Sequence, residues 1–364
     1  MYSDSDVEAA VAAGALTPEA ATSLRNYIAG ARTTPAVDEE HFRLLTGFND
    51  IFVSIAAVIL LMSVAWIAHY IPPHIGNDGP SPFSGAAVAA TAWGLAEFFT
   101  RKRRMALPSI ILLLAFIGGV MAAAGLSIAL TIGETAFENN ERLAAGVLAA
   151  TGAIGAGAAW LHWRRFMVPI TVAAGAAAVV GVGLGMLGVI LGDPEGMDKI
   201  MLGFALFLGI GVFLFAMSWD SSDPRRETRR SDVAFWLHLL AAPLIVHPIF
   251  VLLGLTDGSA TTLEAIVVLL LYLALGFTAL AIDRRALLVS ALAYVLYALN
   301  SLFQNYGAVE LSFALTALVI GSALLLLSAF WHTARRAVVN TLPAGIQSRL
   351  PVVERAALSP QPAS

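Results

Sequence analysis

The sequence predicts an all-α protein, a polytopic transmembrane bundle of about ten helices preceded by a short cytoplasmic helical hairpin. Composition is the first observation behind this prediction, since 58% of the 364 residues are hydrophobic and 13% are charged. Soluble domains carry about 25% charged residues, so most of this chain is expected to lie in lipid. The second observation is a succession of ten apolar runs, and the third is a basic cluster after every second run.

The first region, residues 1–46, is polar and alanine-rich, and we predict a cytoplasmic helical hairpin and linker there. Ser5 and Glu8 form the capping-box pattern that begins a first helix, and Gly14 is placed to end it in a left-handed conformation. Thr17 is the predicted N-cap of the second helix. No apolar core follows a basic start, so no signal peptide is expected and the first membrane helix directs insertion itself.

Residues 47–332 form the predicted transmembrane domain. Most of its apolar runs are long enough to cross hydrocarbon of about 30 Å. The runs cover residues 50–71, 83–100, 106–132, 143–161, 166–191, 200–219, 233–255, 263–282, 286–303 and 309–331. The second run is the weakest, because it is short and contains Glu97. Residues 333–364 follow as a cytoplasmic tail, which four prolines mark as partly disordered.

Basic residues determine the predicted orientation of the helices. They cluster after every second run, at residues 101–104, 164–165, 225–230, 284–285 and 335–336. The intervening loops hold only Arg142 and Lys199. Because cytoplasmic loops carry an excess of lysine and arginine, both termini are predicted to be cytoplasmic. We interpret the arginine pairs as topology signals, with lipid-headgroup binding as the alternative.

The seventh run is unusual for a membrane helix. It carries two prolines, Pro243 and Pro248, and two histidines, His238 and His247. Each proline removes a backbone donor and frees a carbonyl four residues earlier. Hydrocarbon offers that carbonyl no partner, so neighbouring protein or water must supply one. We therefore predict that this helix kinks or breaks inside a packed bundle.

Polar residues near the outer ends of runs seven to ten form the candidate site. The predicted substrate-binding residues are His247, Glu264, Asn300, Gln304 and Glu310. Within run nine, Tyr297, Asn300, Ser301 and Gln304 are spaced three and four apart and so share one helix face. A polar cavity beside a broken helix is a common plan for solute sites in transporters. We predict an outward-facing pocket in which His247, a residue type that exchanges protons near neutral pH, partners a carboxylate.

Simpler interpretations stay open for the same residues. Glu264, Gln304 and Glu310 fit interfacial positions that face water. His247 lies beside a proline and fits a hydrogen bond to a freed carbonyl. His238 is nine residues from His247, half a turn out of phase on a regular helix, so no metal pair is predicted.

Two further patterns concern packing. Glu97 has Arg101 four residues later, which predicts an ion pair at the membrane surface. Small residues recur at four-residue spacing in runs four and five, and such residues let helix backbones approach closely. They are Ala149, Ala153 and Gly157 in run four, and Ala177, Gly181 and Gly185 in run five.

Enzymatic activity is not predicted. The sequence has no cysteine, which excludes disulfides and thiolate chemistry. It contains no zinc-protease helix, nucleophile elbow or phosphate loop. The acidic loop at residues 192–196 has two carboxylates, too few for a calcium cage, and is interpreted as a turn. No cofactor, no metal and no nucleic-acid partner is expected.

Two segments resemble a known family. Residues 13–20, Ala-Gly-Ala-Leu-Thr-Pro-Glu-Ala, resemble the cytoplasmic hairpin of a bacterial family of polytopic membrane proteins. Residues 38–52, Asp-Glu-Glu-His-Phe-Arg-Leu-Leu-Thr-Gly-Phe-Asn-Asp-Ile-Phe, are similar to that family's approach to its first membrane helix. It is the domain-of-unknown-function family numbered twenty-one fifty-seven. The resemblance implies a multi-pass protein of the bacterial inner (cytoplasmic) membrane and supplies no reaction.

The leading functional hypothesis is binding or transport of a small solute or ion through the outward-facing pocket. The alternative is a non-transport scaffold or sensor, in which the hairpin signals to a cytoplasmic protein partner. A membrane enzyme acting on lipids or envelope intermediates is the third class. The expected partners are therefore the lipid bilayer, a small solute or ion, and a cytoplasmic protein bound through residues 1–46.

Overall fold

The computed structural model describes most of the chain. Its described residues are 7, 10–31, 48–76, 78–133, 136, 140–192, 196–224, 226, 228–254, 262–305 and 312–353. Across these ranges the regular secondary structure is helical, which confirms the all-α class. The chain divides into two compact units, Met1–Arg43 and Leu44–Ser364.

The first unit contains helix α1, Pro18–Ala31. Gly14 has a φ of +71°, and its N–H donates to the carbonyl of Val11 at 3.0 Å. The hydroxyl of Thr17 accepts a hydrogen bond from the N–H of Ala20 at 3.2 Å and so caps α1. The left-handed glycine and the N-cap are thus confirmed, whereas the hairpin as a whole stays a prediction. Two residues on which it depends, Ser5 and Glu8, lie outside the described residues.

A helix occupies each of the ten predicted apolar runs in the second unit. These are α2 (Phe48–His69), α3 (Pro82–Ala96), α4 (Ala106–Ile132), α5 (Glu141–Phe166), α6 (Ile170–Leu191), α7 (Met197–Ser221), α8 (Arg229–Leu252), α9 (Thr262–Ile282), α10 (Ala286–Asn305) and α11 (Ser312–Ala329). A π-helical turn, Glu97–Lys102, extends α3. Two short helices follow, α12 (Trp331–Asn340) and α13 (Ala344–Gln347).

Six of the described helices, α2 and α4 to α8, are long and apolar enough to cross a membrane. The number is seven if α11 and α12, bent by 74° at their junction, count as one span. Helix α3 has 15 residues before its π-helical turn, which is short for a span. The apolar helices are therefore consistent with a multi-pass membrane protein, and ten spans stay a prediction.

Helix α2 carries an exposed apolar stripe. Phe52, Ile55, Ile59, Met62 and Trp66 recur every three or four residues and are all exposed. Soluble proteins rarely expose so continuous an apolar stripe, because water penalises it. The stripe fits contact with acyl chains.

Helix α8 is the most buried of the six candidate spans. In its most apolar stretch 39% of residues are buried, against 17–33% in the other five. Val233 and Leu237 pack with α6 and α7, whereas Val246 and Phe250 pack with α9, α10 and α11. The helix runs without interruption through Pro243 and Pro248, so the predicted break does not occur. Packing on several sides shelters the backbone that the prolines leave unbonded.

Helices α5 and α6 cross at small residues. A Cβ added to Gly185 would lie 2.7 Å from both the carbonyl oxygen of Ala145 and the backbone nitrogen of Ala149. Only glycine fits at this distance without a shift of the backbone. A Cβ added to Gly181 would meet nothing within 4 Å. The predicted close packing is therefore confirmed at Gly185 and Ala149 and is wrong at Gly181.

Candidate functional site

The predicted outer site is described around His247. This side chain, on α8, is exposed, and its Nδ1 lies 2.6 Å from the hydroxyl oxygen of Tyr294 on α10. The Tyr294 ring stacks on Phe250, with ring centroids 4.3 Å apart. The tyrosine hydroxyl donates when Nδ1 carries no proton and accepts when it does. This contact joins α8 to α10, and it differs from the carbonyl contact considered as the simpler alternative.

The remaining predicted residues are described to different degrees. Asn300 is half-buried on α10. The backbone places Gln304 in α10 and Glu264 in α9, but their side chains lie outside the described part. Glu310 lies outside the described residues altogether. The structure therefore brings His247 to α10, and convergence of the other four side chains stays a prediction.

Tyr294 is the residue of this site that sequence reasoning missed. It lies three residues before Tyr297, on the polar face already identified in run nine. Extending the three-and-four spacing by one turn toward the N-terminus of α10 would have found it.

A buried group of charged residues lies at the other end of α8. We call it the ion cluster, and its members are Asp220, Arg226, His238, Asp283, Arg284 and Arg335. Asp220 accepts a hydrogen bond from Arg284 Nη2 at 2.6 Å, and its other oxygen lies 3.0 Å from His238 Nε2. The side chains of Asp220 and His238 are fully buried. The three residues tie α7, α8 and the α9–α10 connection together.

Asp283 forms the second half of the ion cluster. Its carboxylate accepts from Arg226 Nη1 at 2.8 Å and from Trp331 Nε1 at 2.7 Å. Arg335 Nε lies 3.6 Å from the same carboxylate. Burial lowers the pKa of the Arg226 guanidinium and nearby Arg284 adds to this, although a guanidinium keeps its proton throughout the accessible pH range.

The connection between α9 and α10 explains how both halves form. Asp283 adopts a left-handed conformation, with a φ of +57°, and the N–H of Arg284 donates to the carbonyl of Ala279 at 2.9 Å. This closes the C-terminus of α9 in one residue. The turn is tight enough that two consecutive charged side chains both enter the interior.

The C-terminal segment packs on the ion cluster. Arg335, which is 1% exposed, donates to the carbonyls of Pro351 at 2.6 Å and Val352 at 3.2 Å. The N–H of Val352 donates to the carbonyl of Pro224 at 3.1 Å. Residues 351–352 are therefore held against the α7–α8 connection. The end of the predicted disordered tail, residues 354–364, lies outside the described residues.

The ion cluster changes the interpretation of three arginines. Arg226, Arg284 and Arg335 were interpreted as topology signals, yet all three side chains are buried and paired with aspartate. Sequence reasoning also passed over Asp220, and it considered His238 only as a possible partner of His247. Ionisable residues inside an apolar run, as His238 is, or directly at its end, as Asp220 is, are the signal that would have found them, because lipid tolerates such residues only when they are paired.

Glu97 makes the predicted ion pair and one more. Its carboxylate lies 3.3 Å from Arg101 Nη1, and it accepts from Arg165 Nε at 2.6 Å and Nη2 at 2.9 Å. The predicted pair is confirmed. Because these side chains are partly exposed, we assign this pair to the surface and not to a functional site.

Metal chemistry finds no support in the described residues. No group of three or more histidine, aspartate or glutamate side chains there is placed to hold a metal ion.

His162 is fully buried among Trp93, Phe116 and Phe166, and its Nδ1 lies 3.2 Å from the Thr171 hydroxyl. This histidine packs α5 against Trp93 of α3 and Phe116 of α4, and its contact with Thr171 reaches α6.

Comparison of the chain with protein-family models, with curated proteins and with solved structures finds no match. The resemblance to the family of unknown function therefore stays a prediction.

Proposed function

We propose that this chain is an integral membrane protein that binds or transports a small solute or ion through an outward-facing polar pocket. The observation that carries the proposal is the 2.6 Å contact between His247 Nδ1 and the Tyr294 hydroxyl. It joins a side chain of the most buried candidate span to the polar face of α10. Ionisable residues inside membrane segments are rare, and they commonly mark solute and ion pathways.

The residues of the pocket would have distinct roles. His247 supplies a ring nitrogen that donates a hydrogen bond to a polar solute or accepts one from it. Asn300 and Gln304 supply amide donors and acceptors, which orient a polar solute. Glu264 and Glu310 supply negative charge that favours a cation or an amine.

The ion cluster would hold the wall of this pocket. His238 precedes His247 by nine residues on α8, which is about 14 Å along a helix. Charged hydrogen bonds at that end restrain α8 against α7 and the start of α10. A wall fixed at one end keeps the contact between His247 and Tyr294 in place.

The proposed location is the bacterial inner membrane, with both termini in the cytoplasm. The basic loops after every second run support this orientation. The exposed apolar stripe of α2 supports insertion into lipid.

The test uses full-length protein in proteoliposomes on a solid-supported membrane. Concentration jumps of sodium, potassium, protons, amino acids, sugars and organic acids are applied in turn, and the current is recorded. We expect a response to at least one class, reduced about tenfold in His247→Ala as in the loss of a binding contact. His332→Ala, which changes an exposed histidine on α12, is the matched control. A His247→Ala current equal to wild type contradicts the proposal, as does silence across the whole panel.

A second candidate function, a scaffold or sensor, is favoured by one observation. Met1–Arg43 forms a compact unit of its own, as a signalling module would. Deletion of residues 1–43 separates the candidates. A transporter keeps its solute currents, whereas a scaffold loses capture of its cytoplasmic partner.

A further inference from the structure

Two consecutive arginines have different surroundings at the α9–α10 connection. Arg284 is 3% exposed and belongs to the ion cluster. Arg285 is half-buried and lies over the indole ring of Trp331, with its guanidinium carbon 4.8 Å from the ring centroid. In the sequence, Arg284 and Arg285 are interpreted together as a topology signal. In the structure Arg284 is buried, so Arg285 is the one of the two whose charge lies near the surface.

Arg285 lies at one end of a groove of about 140 Å³ between α10 and α11. Leu288 and Leu292 line the α10 side, whereas Leu324 and Ser328 line the α11 side. The two helices run in opposite directions, so Arg285 and Trp331 meet at one end and Leu292 and Leu324 at the other. Seven residues separate Arg285 from Leu292, which makes the groove about 10 Å long.

We propose that this groove binds an anionic phospholipid, with its phosphate on Arg285 and the start of an acyl chain between Leu288, Leu292 and Leu324. A guanidinium offers five donors in a planar fork, so it can bind a phosphate in addition to the partners it has within the protein. Charge-assisted bidentate contacts of this kind are strong and specific for phosphate.

The depth of the groove fits a lipid. Arg285 immediately precedes α10 and Trp331 begins α12, so the charged end lies at helix termini, where headgroups lie. Tryptophan also prefers this interface. Sites for whole small molecules occupy about 300–1,000 Å³, and this groove is too small for one. It suits part of a chain whose remainder lies in the bilayer.

Two other apolar grooves serve as an internal comparison. One of about 400 Å³ lies between α6 and α7, and one of about 230 Å³ lies beside α2. Both are lined by residues without charge, including Val172 and Phe207 in the first and Ile55 and Ile111 in the second. Those grooves suit any hydrocarbon chain. Of these three, the groove at Arg285 combines an apolar floor with a cationic end, which selects the headgroup.

The test is native mass spectrometry of the full-length protein after equilibration with equal amounts of phosphatidylglycerol and phosphatidylcholine. We expect wild type to retain phosphatidylglycerol about fivefold over phosphatidylcholine, the factor that one basic residue near an anionic surface supplies. Arg285→Gln is expected to remove this preference. Arg164→Gln is the matched control, since Arg164 lies 5.2 Å over Trp160, whose side chain is 60% exposed.

A second variant tests the proposal without changing Arg285, so the result does not depend on whether Arg285→Gln folds. Leu292→Trp fills the apolar end, leaves the charge and is expected to reduce retention of both lipids. The proposal is overturned if Arg285→Gln keeps the preference, or if Arg164→Gln loses it equally. It is also overturned if a second copy of the chain occupies the groove. In that case the mass spectrum of wild type shows a dimer, and the dimer is absent in Leu292→Trp.

Discussion

Asp220 and Arg284 form a buried ion pair across 64 residues of sequence, with Arg284 Nη2 donating to Asp220 Oδ1 at 2.6 Å. The same arginine nitrogen donates to the carbonyl of Ser231 at 3.0 Å. Because these contacts come from three chain segments, the pair joins α7, α8 and the α9–α10 connection at one point. Removing this pair is therefore expected to lower the stability of the second half of the bundle.

Asp220→Ala leaves the Arg284 charge buried without its counter-ion. Breaking a buried pair in this way costs about 3–5 kcal/mol. We expect a lower midpoint in thermal unfolding of the detergent-solubilised protein. Glu97→Ala removes the partly exposed pair and is the control, with a much smaller shift expected. Equal shifts in both variants would show that the ion cluster does not stabilise the fold.

Arg335→Met removes the donors that hold residues 351–352. The C-terminal segment is then expected to detach. Arg349 is already exposed, so the freed backbone is what lets trypsin cleave after it about tenfold faster, as the loss of a charged hydrogen bond implies. Limited proteolysis followed by mass analysis of the released peptide measures this rate. His332→Ala, three residues away on an exposed face, should cleave as wild type does. Unchanged cleavage in Arg335→Met would contradict the role given to these contacts.

Gly185→Ala and Gly181→Ala form a matched pair on α6. The added methyl at Gly185 meets the α5 backbone at 2.7 Å, so we expect a loss of about 1–3 kcal/mol. The methyl at Gly181 meets nothing within 4 Å, and alanine is the better helix former, so a gain of up to about 1 kcal/mol is expected. Unfolding midpoints of both variants decide this. The packing argument fails if Gly181→Ala has the lower unfolding midpoint of the two variants.

The span of α3 is open to a direct test because the chain has no cysteine. Asp78→Cys, before α3, and Lys102→Cys, after it, are single reporters at exposed positions. If α3 crosses the membrane, an impermeant maleimide labels the first from outside and the second from inside. Labelling of both from one side would remove α3 from the spans and reverse the orientation predicted for the helices that come after α3.

The sequence predicts local features of this protein well. Apolar runs, the left-handed Gly14, the Thr17 cap and the Glu97–Arg101 pair all depend on neighbours within a few residues, and each is present. The partners of Asp220 lie 18 and 64 residues away. The sequence around a polar residue at the end of an apolar run does not identify such a distant partner. The partner is identified only when the arrangement of the helices is known.

The same limit applies to the outer site. The spacing on α10 identifies a polar face, but the contact of His247 with Tyr294 joins residues 47 apart. The prolines of α8 correctly predicted that neighbouring helices shelter this helix. The predicted break is wrong, and the other possibility, a kink, stays a prediction. Helix α8 is continuous and packs with several other helices, and these contacts between helices cannot be predicted from the sequence of α8 alone.

The most direct test of the central claim asks whether water reaches the Tyr294 face of α10. Tyr294→Cys and Leu296→Cys lie two residues apart at nearly the same depth, on different faces of the helix. Charged methanethiosulfonates react with thiolates, which form in water and not in lipid. An outward-facing pocket predicts that reagent added outside modifies Tyr294→Cys and spares Leu296→Cys. Modification of neither residue, or of both equally, would contradict the pocket.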